Sequence, residues 1–396
     1  MAKTVLHTPL CDLLGIEYPV ILAGMGPVAG GIMGPVATRQ LAAAVSNAGG
    51  LGVIGGVAYG ADELRAEIRA LRELTDKPFG VDLLFAENLM RPVKGEERLP
   101  GRELLPKETR DALERIAASL GVEWKEDPNP IRRPAVPAGK SYVGAQMEVV
   151  LEEKVPVLAS GLGSPGPWVD DLHANGAKVL ALVGNVRGAR RVARDGVDVV
   201  VAQGTEAGGH TGKIATLALV PQVADAVAPI PVVAAGGVAD GRALAAVLAL
   251  GAIGAWCGTA FLVGEEANQP TLQKQRILDA AAEDTVVTRL YSGKTMRNIT
   301  NPLIEAWEAS GIQALPMGLQ GLLTRDLLYS IRQAGREDLL MNAAGQTAGM
   351  LHRIRPAREI LEEMVTTAAD ILSNDLPRRV RTSVTTPVGA HGGTAQ

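Results

Sequence analysis

The chain has 396 residues, 47% of them apolar and 21% charged, with a formal net charge of −4. That is material for one large α/β barrel or two ordinary domains; the mild acidity, the lack of a basic run and an aromatic content of 3% argue against a nucleic-acid binder. No uncharged apolar run reaches the roughly 18 residues of a membrane span, Met1 to Pro9 has no apolar signal region, and Cys11 and Cys257 read as two reduced thiols of a cytoplasmic protein.

The first predicted strand, Tyr18 to Ala23, ends at Gly24-Met25-Gly26-Pro27. A helix over Thr38 to Ala48 stops at Gly49-Gly50, and the second strand, Leu51 to Ile54, closes at Gly55-Gly56. The helix Asp62 to Leu74 carries Leu64, Ile68 and Leu71 on one face and leads to strand three, Phe79 to Leu84. The rhythm then breaks over 86–140, a charged, proline-rich insertion with one amphipathic helix near Glu108 to Leu120. Segments of this length serve as lids or partner surfaces, or are tolerated on the surface. Alternation resumes with a helix near Gly144 to Glu153, strand four from Val155 to Ala159, and a helix from Trp168 to Asn175. Strand five, Lys178 to Val183, precedes a helix over Val186 to Asp195, and Asp198 to Ala202 is strand six. After a glycine-rich loop and a helix near Leu217 to Ala226 come strand seven, Pro231 to Ala235, and the helix Gly241 to Leu250. Strand eight is Gly254 to Cys257.

Eight strands separated mostly by single helices is the count of a (β/α)8 barrel. An open doubly wound sheet is the alternative, but no Gly-x-Gly-x-x-Gly loop with a distal acid marks a dinucleotide crevice. The barrel is assigned to 1–265, interrupted by the insertion 86–140 after strand three. A mainly helical lid region follows over 266–344, with Thr285 to Thr288 its one clear strand. Residues 345–375 supply a barrel-closing helix with Ile360, Leu361, Met364, Ala368 and Leu372 on its apolar face, and 376–396 read as a disordered tail.

Two elements of one rim, at the carboxyl ends of the strands, carry chemistry. Gly236-Gly237 and Gly258-Thr259 end strands seven and eight, where barrels often bind phosphate through loop amides. Two tight barrel turns would look the same. No Gly-x-x-x-x-Gly-Lys-Ser/Thr is present, so a phosphorylated cofactor fits better than a hydrolysed nucleotide. Gly24 and Met25 suit the edge of a flat ring or a plain turn, and Asp82 is a polar residue in an apolar strand that needs a partner. The other rim element is the loop after strand six, Gln203 to Gly212, with four glycines, Glu206 and His210. His210 is placed there as a proton-exchanging or ligand-contacting group. Glu206 either orients the loop or is solvated. His7, His173, His352 and His391 read as surface residues, Ser160 and Ser164 lack hydrolase companions in motif order, and no cluster has metal-ligand spacing.

The stretch Ala202-Gln203-Gly204-Thr205-Glu206-Ala207-Gly208-Gly209-His210-Thr211-Gly212 resembles the signature of the nitronate monooxygenase (2-nitropropane dioxygenase) family. Ala43 to Gly52, Lys77 to Val81, Ala234 to Gly241, Gly258 to Leu262, Met296-Arg297-Asn298 and Ala344 to Gly349 agree with it. The resemblance spans about 8–375 apart from the insertion. It implies a TIM barrel with non-covalent FMN, its phosphate on Gly236, Gly237, Gly258 and Thr259. It also implies ring or ribityl contacts among Gly24, Met25, Asp82, Gln203, Gly208 and Gly209, and catalysis by His210. Two positions differ from the family pattern: Asp82 stands where an asparagine is usual, and strand five reads Leu182-Val183-Gly184-Asn185 in place of a lysine-bearing end. The implied activity is oxidation of alkyl nitronates with O2, His210 acting as base or substrate anchor. The alternatives are an NAD(P)H-dependent flavin reductase of quinones or enoyl thioesters, and, in another class, a non-catalytic barrel for a phosphoryl ligand. Partners are then a small-molecule substrate, O2 and, in the reductase reading, NAD(P)H, with no nucleic acid or membrane and a homodimer left open.

Overall fold

The apolar runs divide between two packing surfaces, and this division builds the barrel. Ile21, Val53, Val157, Ala159, Leu180, Val199, Val201, Val233, Ala235 and Trp256 form an inner cluster. Their strand neighbours Ile54, Val81, Leu158, Val179, Val200, Val232 and Ala234 belong to the cluster shared with the surrounding helices. Strands buried on both faces show no polar alternation, which is why they appear as continuous aliphatic stretches. The computed structural model describes residues 5–27, 34–92, 102–128 and 139–381.

The strands in chain order are β1 (Val20–Leu22), β2 (Gly52–Gly55), β3 (Phe79–Leu84), β4 (Val157–Gly161), β5 (Lys178–Val183), β6 (Val199–Gln203), β7 (Gly209–His210), β8 (Val232–Ala235), β9 (Ala255–Cys257), β10 (Thr285–Thr288) and β11 (Met296–Ile299). Eight of them form one parallel sheet ordered β1-β9-β8-β6-β5-β4-β3-β2. A parallel bridge between Ile21 and Leu51 joins its two edges, with Leu22 N–H donating to Leu51 C=O at 2.9 Å. The sheet is therefore a (β/α)8 barrel rather than an open doubly wound sheet. The helix Ala357–Asp370 seals its outside by packing on Gly241–Ala249. A Cβ on Gly241 would stand 2.5 Å from Met364 O and Ala368 N, so a glycine there lets the two helices touch. Burying Ile360, Leu361, Met364 and Val365 contributes about 1.5–3 kcal/mol each.

A second sheet was not foreseen. β10 and β11 pair antiparallel, and β11 then pairs with β7, setting Met296 opposite His210 and Arg297 opposite Gly209. The expectation of one clear strand after the barrel thus misses β11. Its Met-Arg-Asn-Ile run has no period-2 apolar pattern, and its pairing depends on a partner 86 residues earlier in the chain.

The described part of the insertion docks on the C-terminal helical region. Its helix Lys107–Ser119 buries Leu113, Ile116 and Ala117 and packs against helices Pro302–Ser310 and Leu319–Gln333. Arg102 grips the Asp326 carboxylate through Nε and Nη2 at 2.7 and 2.8 Å, a bidentate pair. The predicted tail begins too early: Leu376–Arg379 is helical, with Arg379 paired to Asp375 at 3.0 Å. Residues 382–396 lie outside the described residues, as do parts of the insertion.

Candidate functional site

At the carboxyl ends of the barrel strands, two polar side chains enter the otherwise apolar interior. One is Asp82 on β3. Its register partners are Gly55 on β2 and Ala159 on β4. On its third side is Gly24, where a Cβ would stand 2.8 Å from Asp82 Oδ2, so the second residue after β1 has to be glycine. Asp82 Oδ1 is buried without a hydrogen-bond partner, and burial pushes the carboxyl pKa up to about 8. The other is Gln203, the last residue of β6, whose Nε2 donates to the His210 carbonyl at 2.8 Å. Met25 completes this side: a Cβ on Gly258 would lie 3.7 Å from its sulfur, so the β1 and β9 exits touch.

The loop after β6 is fastened at several points, and these explain why it is rigid enough to present an imidazole. Glu206 accepts from the backbone N–H of Thr216 at 3.0 Å, the first residue of helix Thr216–Val227. A carboxylate at a helix N-terminus satisfies an orphan amide and complements the dipole. The Thr216 hydroxyl, 2.9 Å from both Glu206 Oε2 and the Gly236 carbonyl, ties the loop to the β8 exit. Glu206 therefore orients the loop. Thr216→Val is expected to lower stability by about 1 kcal/mol, a typical value for a lost cap-type bond, read as a drop in the thermal midpoint. From the second sheet, Arg297 Nε donates to Thr205 C=O at 3.0 Å while its Nη1 donates to Thr285 Oγ1 at 3.0 Å. Gly208 abuts the next closing element, the turn at 344–350: a Cβ there would lie 2.6 Å from Ala344 C. Gln346 N–H donates to Glu206 C=O at 3.0 Å from the same turn.

His210 sits in β7 rather than in free loop. Its Nε2 is 2.9 Å from Ser292 Oγ on the β10–β11 connection, which sets the ring plane. No other described residue bonds to the ring, so Nδ1 is available. Burial first, and Lys294 second, lower its pKa from 6.5 to about 4, so the imidazole is neutral at physiological pH.

The two glycine corners lie beside this loop. Gly236 and Gly237 have φ of +86° and +76°, the left-handed region that side chains disfavour. A Cβ on Gly236 would stand 2.9 Å from Gly204 C=O. Neither N–H donates to another described residue. Thr259 Oγ1 accepts the N–H of Gly345 at 2.9 Å, which leaves its own proton to donate outward. Unpaired amides, a hydroxyl donor, glycine-lined space and an orphaned carboxyl oxygen at one barrel mouth suit a phosphorylated, ring-bearing cofactor.

The remaining candidates fall away from this mouth. His7 pairs with Asp12 and His173 with Asp198, each at 2.9 Å, and His352 is exposed. His391 lies outside the described residues. Ser164 bonds Asp195, and Ser160 is buried beside β3 without a partner. Asn185 caps helix Val186–Arg194, its side chain accepting from Gly188 N–H. Cys11 and Cys257 are free and buried. Among the described residues no cluster of His, Cys, Asp or Glu is placed to hold a metal, and no helix is long and apolar enough to cross a membrane. Sequence reasoning missed Ser292, Thr216 and the loop-binding role of Arg297. Arg297 lay within a recognised motif, but nothing in the pattern said what it holds.

A model of the nitronate monooxygenase family matches residues 7–367. A Mycobacterium tuberculosis protein carried under a monooxygenase name is 37% identical over 375 residues, covering 91% of this chain and 96% of its own length. An octahydroindene-carboxyl-CoA dehydrogenase of the same organism is 34% identical over 333 residues, covering 84% of this chain and 74% of the relative. Among solved structures, nitroalkane oxidase from Streptomyces ansochromogenes superposes with a TM-score of 0.74 at 32% identity, covering 92% of this chain and 99% of that one.

Proposed function

The chain belongs to the nitronate monooxygenase family and is a flavin-dependent oxidoreductase; on that premise we propose that it oxidises alkyl nitronates with O2, using FMN. The observation that carries this reading is the neutral His210 ring, pinned by Ser292 on the same barrel face as the Gly236-Gly237 corner. The non-catalytic barrel considered from sequence is set aside by the family match.

In this reading the N–H groups of Gly236, Gly237 and Gly258 and the Thr259 hydroxyl hold the cofactor phosphate, and FMN when bound supplies the electron transfer and oxygen chemistry. Gly24, Met25, Gly208 and Gly209 line the space for the ring system, with Asp82 and Gln203 as its polar contacts. His210 takes the proton from the carbon alpha to the nitro group on a ring nitrogen. The C–H electron pair moves onto the nitro group, and the imidazolium so formed faces the nitronate anion. When the substrate arrives as a preformed nitronate, the same ring anchors it. The turn at 344–350, fastened to Glu206 and Thr259, limits water at this edge of the site.

A second reading, an NAD(P)H-dependent reductase of quinones or enoyl thioesters, draws on the relative that acts on a carboxyl-CoA. One experiment separates the two. The purified protein is expected to show flavin absorbance and nitronate-dependent O2 uptake, with slow bleaching by NADH under anaerobic conditions. Rapid bleaching by NADH without nitronate-dependent O2 uptake would instead establish the reductase.

A further inference from the structure

Asp82 is an acid in a place that offers it nothing. The elements packed against it present Val53 and Gly55 on β2, Val157, Ala159 and Gly161 on β4, and Ala23, Gly24 and Met25 after β1. None of these is charged or titratable, and none brings a side-chain donor. Among the described residues, charged and titratable groups elsewhere at this mouth include His210 on β7, Lys294 on the β10–β11 connection, and Glu206 and Arg297, which fasten the loop after β6. A carboxylate buried among apolar groups without a donor is strongly disfavoured, whereas a carboxylic acid has one donor and one acceptor to offer a ligand. The edge of a flavin ring carries both acceptors and an N–H.

We propose that Asp82 works as a neutral carboxylic acid that donates a hydrogen bond to an acceptor atom of the flavin ring, so that cofactor capture depends on the Asp82 proton. This rests on the flavin-binding reading above and adds to it a protonation state. Oδ1 is buried without a partner, so the carboxyl group has hydrogen-bonding capacity left to fill, and Oδ2 lies against Gly24, whose missing Cβ makes room for the group at the β1 exit. With its pKa raised to about 8 by burial, Asp82 is mostly neutral at pH 7 and mostly ionised at pH 9. If only the neutral form captures the ring, the apparent Kd grows by the inverse of the neutral fraction, about tenfold over that interval. The FMN phosphate loses its second proton with a pKa near 6, so it is already about nine-tenths dianionic at pH 7 and changes little across this window.

The test is titration of the flavin-free protein with FMN between pH 7 and 9, followed by quenching of flavin fluorescence, for the natural chain, Asp82→Asn and Asp82→Leu. The natural chain should weaken about tenfold across the range. Asp82→Asn, which keeps a donor but cannot titrate, should bind at every pH as the natural chain does at pH 7. Asp82→Leu should bind weakly throughout. Flat or tightening affinity in the natural chain, or an Asn variant as weak as the Leu variant, overturns the proposal while leaving flavin binding intact. No FMN binding by the natural chain at any pH would overturn the cofactor reading and this inference together.

Discussion

Replacing His210 with Asn is expected to lower turnover of nitroalkanes by about 10²–10⁴-fold, the range supplied by a positioned general base, while visible flavin absorbance persists. Asparagine is close to the imidazole in size, and β7 stays paired to β11 through backbone bonds the substitution does not touch. The two roles open to His210 give different numbers. As a base it matters for neutral nitroalkanes and much less for preformed nitronates. As an anchor it matters equally for both. Comparing kcat/KM for the two substrate forms in the same variant therefore distinguishes them, and unchanged rates on both would remove His210 from the mechanism. The pH profile has a definite sign. A base must be neutral in the free enzyme, and the His210 pKa is depressed to about 4 by burial and Lys294. Nitroalkane kcat/KM attributable to His210 should then be level from neutral pH to about 5 and fall as pH drops through about 4. An imidazole in water would lose activity already near its ordinary 6.5.

The barrel and its rim were legible because their signals are local. Val199-Val200-Val201-Ala202 reads as a strand buried on both faces, and Gly236-Gly237 as a corner, from neighbouring residues alone. The structure gives both glycines positive φ. What escaped the sequence depends on partners far along the chain. β7 is two residues long and exists only because Met296 and Arg297 lie across from it. Arg297 is buried without a carboxylate at hydrogen-bond distance, and its fork serves the Thr205 carbonyl and the Thr285 hydroxyl, which no spacing rule predicts. Glu206 could be read as solvated until helix Thr216–Val227 was seen to begin at its carboxylate. Asp82 was legible as an anomaly, but its isolation becomes visible only when its neighbours prove to be glycine and alanine.

Gly236→Ala is expected to weaken FMN binding by about 10–100-fold. The left-handed backbone at φ +86° costs a side chain about 1–2 kcal/mol. The new methyl would also stand 2.9 Å from Gly204 C=O and 3.1 Å from Ala207 N, so it presses on the loop that carries His210. Relief requires the corner to turn, which takes the amides of 236 and 237 away from the anion. Losing one charge-assisted bond of about 1.5–3 kcal/mol accounts for the predicted range. Gly176→Ala is the matched control. Its φ is +78° with nothing within 4 Å of the new methyl, and it lies between helix Val169–Ala174 and the start of β5, at the opposite rim. Both variants should melt a few degrees lower, since 1 kcal/mol corresponds to roughly 2–4 °C in a large domain. Only Gly236→Ala should release the cofactor, measured as flavin fluorescence recovered on dilution. Equal retention by the two variants would mean that this corner is an ordinary barrel turn and that the phosphate is held elsewhere.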